Sequence, residues 1–417
     1  MVARAVARNP ERVAWTVLVG SFLALVTLIG AVLLGGRWWL RNASVAQDIT
    51  IVPSGTVLVT RPGRGAPEVN LTSIPVGSVI RSEPNAQASL TFMSANTGEV
   101  VATVRIFGAT IMEVTEADSP RYATGIQPHR ITLHVTSGRV NANVAVDVQR
   151  LVRVEVRSEP GAITVIDTPA SNVSIEAGTV KTIVTVREGH AVVNANGGSV
   201  PLGRDQRAEV EAQSTPNGNL PVEQNWITDG DFAIPLDGIW HVAATEPGAN
   251  EKQGEAQIMP NGGRHVLQLT RSGSEWARVG VTQDINKDVQ GLTSLRLNAD
   301  IYVANQDVHN CGQQGTECPL MIKIIYIDVG GGTQEWLQGF FYFLDPGVGL
   351  TFCGNCAVRF THLQWPRAQW QTYPSDNLLT IFAANGAPAA LIKSITIYAE
   401  GHSYNSLITD VQLLASE

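Results

Sequence analysis

"SLRLNADIYV", residues 294–303, decides how the chain folds. Leu295, Leu297, Ala299, Ile301 and Val303 fall on one side of an extended chain, and Arg296, Asn298, Asp300 and Tyr302 on the other. Successive side chains of a strand point to opposite faces, so this stretch is a strand with an apolar inner face and a polar outer one. The stretches "HVLQLTR" (265–271), "WARVGVTQDI" (276–285), "PLMIKIIYID" (319–328), "EWLQGFFYF" (335–343), "IKSITIYAEG" (392–401) and "SLITDVQLLA" (406–415) also read as strands. Seven or more strands with long loops predict a two-sheet β-sandwich over residues 225–417.

Upstream, alternation continues in shorter pieces. In "TVKTIVTV" (179–186), Val180, Thr182, Val184 and Val186 alternate with Lys181, Ile183 and Thr185. "TVLVT" (56–60), "SLTF" (89–92), "ATVRIF" (102–107), "ITLHV" (131–135) and "VRVEV" (152–156) behave similarly, separated by turn signals such as "RPGRG", "SEPN" and "NANGG". No helix of normal length is expected, so residues 49–212 form a second all-β module. "QSTPNGNLPVEQ" (213–224) has no periodicity and many Pro, Asn and Gly, which predicts a linker. With 39 Gly, 21 Pro and only 16% charged residues among 417, the composition suits strands and turns. The net charge of -8 and the lack of a basic stripe exclude a nucleic-acid binder.

Residues 13–36, "VAWTVLVGSFLALVTLIGAVLLGG", carry no charge. About 20 apolar residues span a bilayer as helix, so this run predicts a transmembrane anchor. Arg4, Arg8 and Arg12 precede it, which favours a tail of residues 1–12 inside. Trp38 and Trp39, in the juxtamembrane stretch 37–48, stand where an interfacial aromatic belt would be. The rival reading is a signal peptide cleaved near "SVA" (44–46), but the apolar run exceeds the usual ~7–15 residues of such peptides. Either way, the bulk of the chain is expected outside the cytoplasm.

The order of motifs in the first module carries a resemblance. "SGTVLV" (54–59), "PVGSVIRSEPNAQASLTF" (75–92), "ITLHVTSGRVNANV" (131–144) and "TPASNVSIEAGTVKTIVTVREGHAVV" (168–193) resemble a FecR-like domain, with Gly77, Arg81, Leu90, Gly138, Thr168, Pro169, Glu188 and Gly189 at the matching places. The resemblance implies a regulator of iron-uptake type that passes a signal across a membrane to a sigma factor. An inside segment of residues 1–12 has no room for the helical regulatory domain of signalling members, so an adaptor or spacer is expected instead. The opening "DGDF…W" and closing "TDVQLL" of the second module resemble galactose-binding-like jelly rolls, a fold shared by many carbohydrate-binding modules. The two modules together resemble a group of single-pass bacterial surface proteins, which implies no particular activity.

Four cysteines are the sharpest chemical feature: Cys311 and Cys318 in "CGQQGTEC", Cys353 and Cys356 in "CGNC". If the strands around them form a meander, both loops leave one end of the sheet and the four sulfurs can meet. Outside the cytoplasm disulfides are the default, in any of three pairings. The alternative is a structural zinc held by all four thiolates, with His309 able to replace one. Asp229, Asp231 and Asp410 lie near the two ends of the module; they either hold a structural calcium or, for the first two, simply make a turn with Gly230. A ligand face is expected from Asn298, Asp300 and Tyr302 with Trp336, Gln338 and Tyr342, and Lys323 beside them, because sugars need aromatic plates with hydrogen-bonding groups between them. An ordinary amphipathic outer face accounts for the same pattern. No nucleophile elbow, phosphate-binding loop, dinucleotide fingerprint or paired carboxylate appears, so no catalytic residue and no cofactor are expected. The sequence thus predicts an extracytoplasmic, non-enzymatic binding or scaffold protein, with an envelope protein or a glycan as partner.

Overall fold

The computed structural model describes residues 10–146, 150–245, 251–356 and 358–417. The expected inside tail lies outside the described residues except for its last three. The chain is all-β behind one long N-terminal helix, Pro10–Asn42, and one short helix, Leu378–Ala384. The long helix buries none of its apolar window against the protein. It does not end in a loop. Asn42 closes the helix, and Ser44–Ala46 is already a strand, antiparallel to Ile111–Pro120 with Ser44 opposite Pro120.

The first module is one 16-stranded sheet wrapped around its own core. Its spine is His129–Val144. The first half of this strand pairs with Ile111–Pro120 and, in parallel, with Val152–Ser158; the second half pairs with Val100–Ile106 and Asn172–Ala177. The chain passes between the halves at Gly138, where φ is 93° and a Cβ would lie 2.3 Å from Thr110 Oγ1. Only glycine fits there. The strand at 179–186 departs from expectation. It begins at Lys181, leaving Val180 exposed, and Ile183 and Thr185 are buried along with Val184 and Val186. Strands pair with it along both edges, and residues of both its faces are buried. The expected linker is also partly strand: Asn217–Leu220 pairs with Gln206–Glu211, and Gln224–Asn225 pairs with Tyr404–Ser416.

The second module is a sandwich of two six-stranded sheets. The first sheet runs Glu255–Asn261, Arg264–Arg271, Tyr404–Ser416, Ser294–Gln306, Gln371–Pro374, with Gln224–Asn225 added beside Tyr404–Ser416. Pro260 is tolerated because its strand is at the edge. The second sheet runs His241–Ala244, Ala277–Asp288, Ala389–Gly401, Leu320–Asp328, Thr333–Phe341, Leu363–Gln364. Leu295, Leu297, Ala299, Ile301 and Val303 all enter the core between the sheets, as the alternation predicts. Leu378 and Phe382 of the short helix join them, with Asn377 capping its first turn through a hydrogen bond from Leu379 N–H.

The modules meet around Arg139, which is 6% exposed. Its Nη1 donates to Glu417 Oε1 at 3.1 Å, and its Nη2 donates to Asp288 Oδ1 at 2.9 Å and to the Gln290 carbonyl. The guanidinium lies 4.0 Å from the centre of the Phe107 ring. Glu417 also accepts from Ser174 Oγ at 2.8 Å, Arg187 donates to the Gly291 carbonyl, and Lys287 pairs with Glu176. Burial pushes the Asp288 carboxyl above its ordinary range, and Arg139 opposes that push.

Candidate ligand faces of the second module

The expected ligand set divides between the two sheets. Asn298, Asp300 and Tyr302 are half-buried on the outer face of the first sheet. Trp336 and Gln338, in the strand Thr333–Phe341 of the second sheet, and Tyr342, just beyond it, turn inward. Trp336 is 2% exposed and meets Phe360 edge-on at 6.2 Å. Gln338 is buried, and its amide donates to the carbonyls of Gly339 and Thr361. The Tyr342 hydroxyl accepts from Gln306 N–H at 3.1 Å and donates to the Gln306 carbonyl. These three therefore hold the fold rather than a ligand. The strand Thr333–Phe341 is covered on both sides, which a single-sided reading of "EWLQGFFYF" does not anticipate.

Of the remaining three, Asp300 and Tyr302 join a cluster that the topology assembles from four strands and the residue preceding one of them, while Asn298 lies further along the same strand. Arg264 Nη1 donates to Asp300 Oδ2 at 2.6 Å and to Asp410 Oδ2 at 3.0 Å, and Thr372 Oγ1 donates to Asp300 Oδ1 at 2.6 Å. The guanidinium lies 4.3 Å from the Trp370 ring centre, and Trp370 tilts against Tyr302 at 5.4 Å. Burial pushes the Asp300 carboxyl up, but Thr372 and Arg264 outweigh it and hold it below the usual range. Arg264, Asp300 and Asp410 satisfy one another, and Arg264 occupies the face of Trp370.

Asp410, the calcium candidate grouped with Asp229 and Asp231, pairs with Arg264. Asp229 Oδ1 accepts from the N–H groups of Ala233 and Ile234 at 2.8 and 3.2 Å, the turn arrangement. Among the described residues the three carboxylates do not come within ligand distance of one another as a group.

The outer face of the second sheet carries a cluster that inspection of the sequence missed. Glu400 is 4% exposed, and it accepts from Trp276 Nε1–H at 2.9 Å and from Arg278 Nε–H at 2.6 Å. Burial pushes its carboxyl above the ordinary range, against the pull of Arg278. Arg278 and Trp276 are themselves partly open to water, at 40% and 38%. Beneath them lies Tyr398, 4.9 Å from the Arg278 guanidinium and 5.8 Å from Lys323 Nζ. Gly280 permits this, since a Cβ there would come within 2.4 Å of Tyr398 Cβ. On the next rung the hydroxyls of Thr282 and Thr396 meet at 2.9 Å. A buried carboxylate thus holds an aromatic plate and a guanidinium in fixed, accessible positions, beside a lysine and two hydroxyls. The sequence signal was faint: Arg278 and Glu400, with Trp276 just before the first strand, are neighbours only through the pairing of those strands.

The four sulfurs form two disulfides, Cys311–Cys318 and Cys353–Cys356. The meander is not formed, because Ser294–Gln306 and Leu320–Asp328 lie in opposite sheets. The sulfurs meet nonetheless, packing with Met321, Leu337, Phe341 and Tyr398 into a small core outside the second sheet. The bonded sulfurs offer no thiolate for zinc. His309 turns instead to Asp345, at 3.1 Å, and against Phe343. His362, buried beside the first disulfide, accepts from Gly339 N–H at 2.9 Å and lies 2.8 Å from the Gly315 carbonyl. Burial lowers its pKa, against the pull of the Gly315 carbonyl.

No family model and no curated protein matches the chain. Among solved structures, a protein described as an anti-sigma factor, from Parabacteroides distasonis, is similar at 15% identity over 34% of this chain, with a TM-score of 0.24; the chain spans 58% of that protein's length. The family 11 carbohydrate-binding module from Clostridium thermocellum, in complex with a β-1,3-1,4-mixed-linked tetrasaccharide, is similar at 13% identity over 46% of this chain and 94% of its own, with a TM-score of 0.28. A carbohydrate-binding module in complex with β-1,4-galactotriose is similar at 13% identity over 46% of this chain and 97% of its own, with a TM-score of 0.25.

Proposed function

We propose that this chain is a non-enzymatic binding protein, held by its N-terminal helix in a membrane and exposing both β modules outside the cytoplasm. The observation that carries this reading is the junction at residues 42–46. Ala43 N–H donates to the Trp39 carbonyl, Ile126 N–H donates to the Arg41 carbonyl, and Ser44–Ala46 is a strand of the first module. Cleavage at Ser44–Ala46 would take a strand out of the sheet, which supports a helix kept in the mature protein. The two disulfides fit an oxidising compartment.

The Trp276–Arg278 platform favours a second, narrower reading, that the outer face of the second sheet binds saccharide. A sugar stacks its apolar face on an aromatic ring and offers hydroxyls to charged groups. Full-length protein in nanodiscs, probed on an array of glycans and cell-wall polymers, tests it. Retention on a glycan should fall by about tenfold in Trp276→Ala, the size of one lost aromatic contact. Trp336→Ala should instead destabilise the sandwich by about 3–5 kcal/mol, as a core deletion does. Retention of Trp276→Ala equal to wild type would remove the saccharide reading and leave the anchored binding protein.

A further inference from the structure

The helix is joined to the first module without slack, and this fixes what else touches the bilayer. Gly36 is the last residue of the uncharged run. Arg41 and Asn42 stand only ~8–9 Å further along a helix rising ~1.5 Å per residue. The headgroup zone is itself about 5–8 Å deep on each side of a ~30 Å hydrocarbon layer. Residues bonded to Arg41 and Asn42 therefore stand at the outer margin of the headgroup zone. They are Ile126, through its N–H to the Arg41 carbonyl at 3.0 Å, and Gln127, through its side chain to Asn42 Oδ1 at 2.7 Å. Tyr122 lies tilted against Trp39, ring centres 5.5 Å apart.

Two chemical features converge at this level. Ile126 and Leu151 are 67% and 71% exposed. Leu151 is tied to the same end of the module, since its carbonyl accepts from His129 N–H. Water is a poor neighbour for two such side chains, whereas the headgroup–acyl boundary is a good one. Among the described residues, Arg37, Arg41, Arg121, Arg130 and Arg150 have no carboxylate within ion-pair distance. Arg150 is spent on the carbonyls of Tyr122, Ala123 and Gly125, where it shapes the loop; Arg130 reaches Gln127. Arg37, Arg41 and Arg121 remain for an external anion.

We infer that this end of the first module is a lipid-docking surface: Arg37, Arg41 and Arg121 take anionic phospholipid headgroups, and Ile126 and Leu151 enter the acyl boundary. The inference rests on the helix being a retained anchor. It adds that the module lies down on the membrane instead of swinging above it. Each arginine near an anionic surface adds favourable charge interaction, and each buried apolar side chain adds area removed from water.

The test uses the full chain in nanodiscs of phosphatidylcholine, with and without phosphatidylglycerol. All four native cysteines are bonded, so single variants Ile126→Cys, Leu151→Cys and, as a distant exposed control, Val329→Cys accept a fluorophore. With brominated acyl chains, the labels at 126 and 151 should lose most of their fluorescence, more with phosphatidylglycerol than without, while the label at 329 loses none. The combined Arg41→Gln and Arg121→Gln variant should remove the difference between the two lipids. Labels at 126 and 151 as bright as that at 329 overturn the docking surface while leaving the anchor intact. Equal quenching in both lipids overturns the anionic assignment. A chain that fails to float with the discs overturns anchor and docking surface together.

Discussion

Replacing Arg139 with Ala should uncouple the two β modules. In the wild-type protein the guanidinium faces two carboxylates from the second module, Asp288 and Glu417, whose side chains are only 12% and 10% exposed. Removing one partner of a buried pair leaves uncompensated charge in a place that water reaches poorly, which costs about 3–5 kcal/mol. Here that cost falls on the contact between modules, because Arg139 contributes its backbone, not its side chain, to the sheet of the first module. Calorimetry should show the wild type unfolding with the two modules coupled, and Arg139→Ala unfolding in two separate transitions. The Asp288→Asn variant should uncouple less, since Asp288 is disfavoured as a charge by its own burial. An Arg139→Ala protein with the wild-type transition would mean that the contact is not coupled to stability.

Removal of both disulfides by Cys→Ala substitution should lower the stability of the second module by about 4 kcal/mol. The two bonds close short loops, with sequence separations of 7 and 3. Constraining such loops in the unfolded chain contributes about 2 kcal/mol each. The loss is also local. Without the bonds, the loops that cover Met321, Leu337, Phe341 and Tyr398 lose their closure, and that small core is opened to water. Chemical denaturation should report the stability change, and hydrogen exchange should locate it along 311–318 and 353–356. Unchanged denaturation midpoints in the four-alanine variant would show that packing alone keeps the loops closed.

Single strands with one wet face were the most legible part of this chain. The residues 294–303 pack as their alternation requires, because one side meets the opposite sheet and the other meets solvent. The strand Thr333–Phe341 was misread for the opposite reason. Gly339 approaches within contact of Cys318 Sγ, so the disulfide loop seals the outer face and no polar alternation is needed. The linker was half-legible: Pro216 and Gly218 signal a turn, but Asn217–Leu220 pairs through its backbone, which leaves no trace in side-chain pattern. The short helix at 378–384 has its cap signal, Asn377, yet spans too few turns to show a period. Contacts such as Arg139 with Asp288, 149 residues apart, or Arg278 with Glu400 depend on strand order, and no local feature announces them.

The mass of the intact chain, purified from membranes of the cells that make it, addresses the junction most directly. An anchored chain whose helix runs straight into the sheet should retain Pro10 through Ala46 and resist extraction at high pH. A mature protein beginning at or just after Ala46, released into the soluble fraction, would contradict the anchor, the sheet strand at 44–46 and the lipid-docking surface alike.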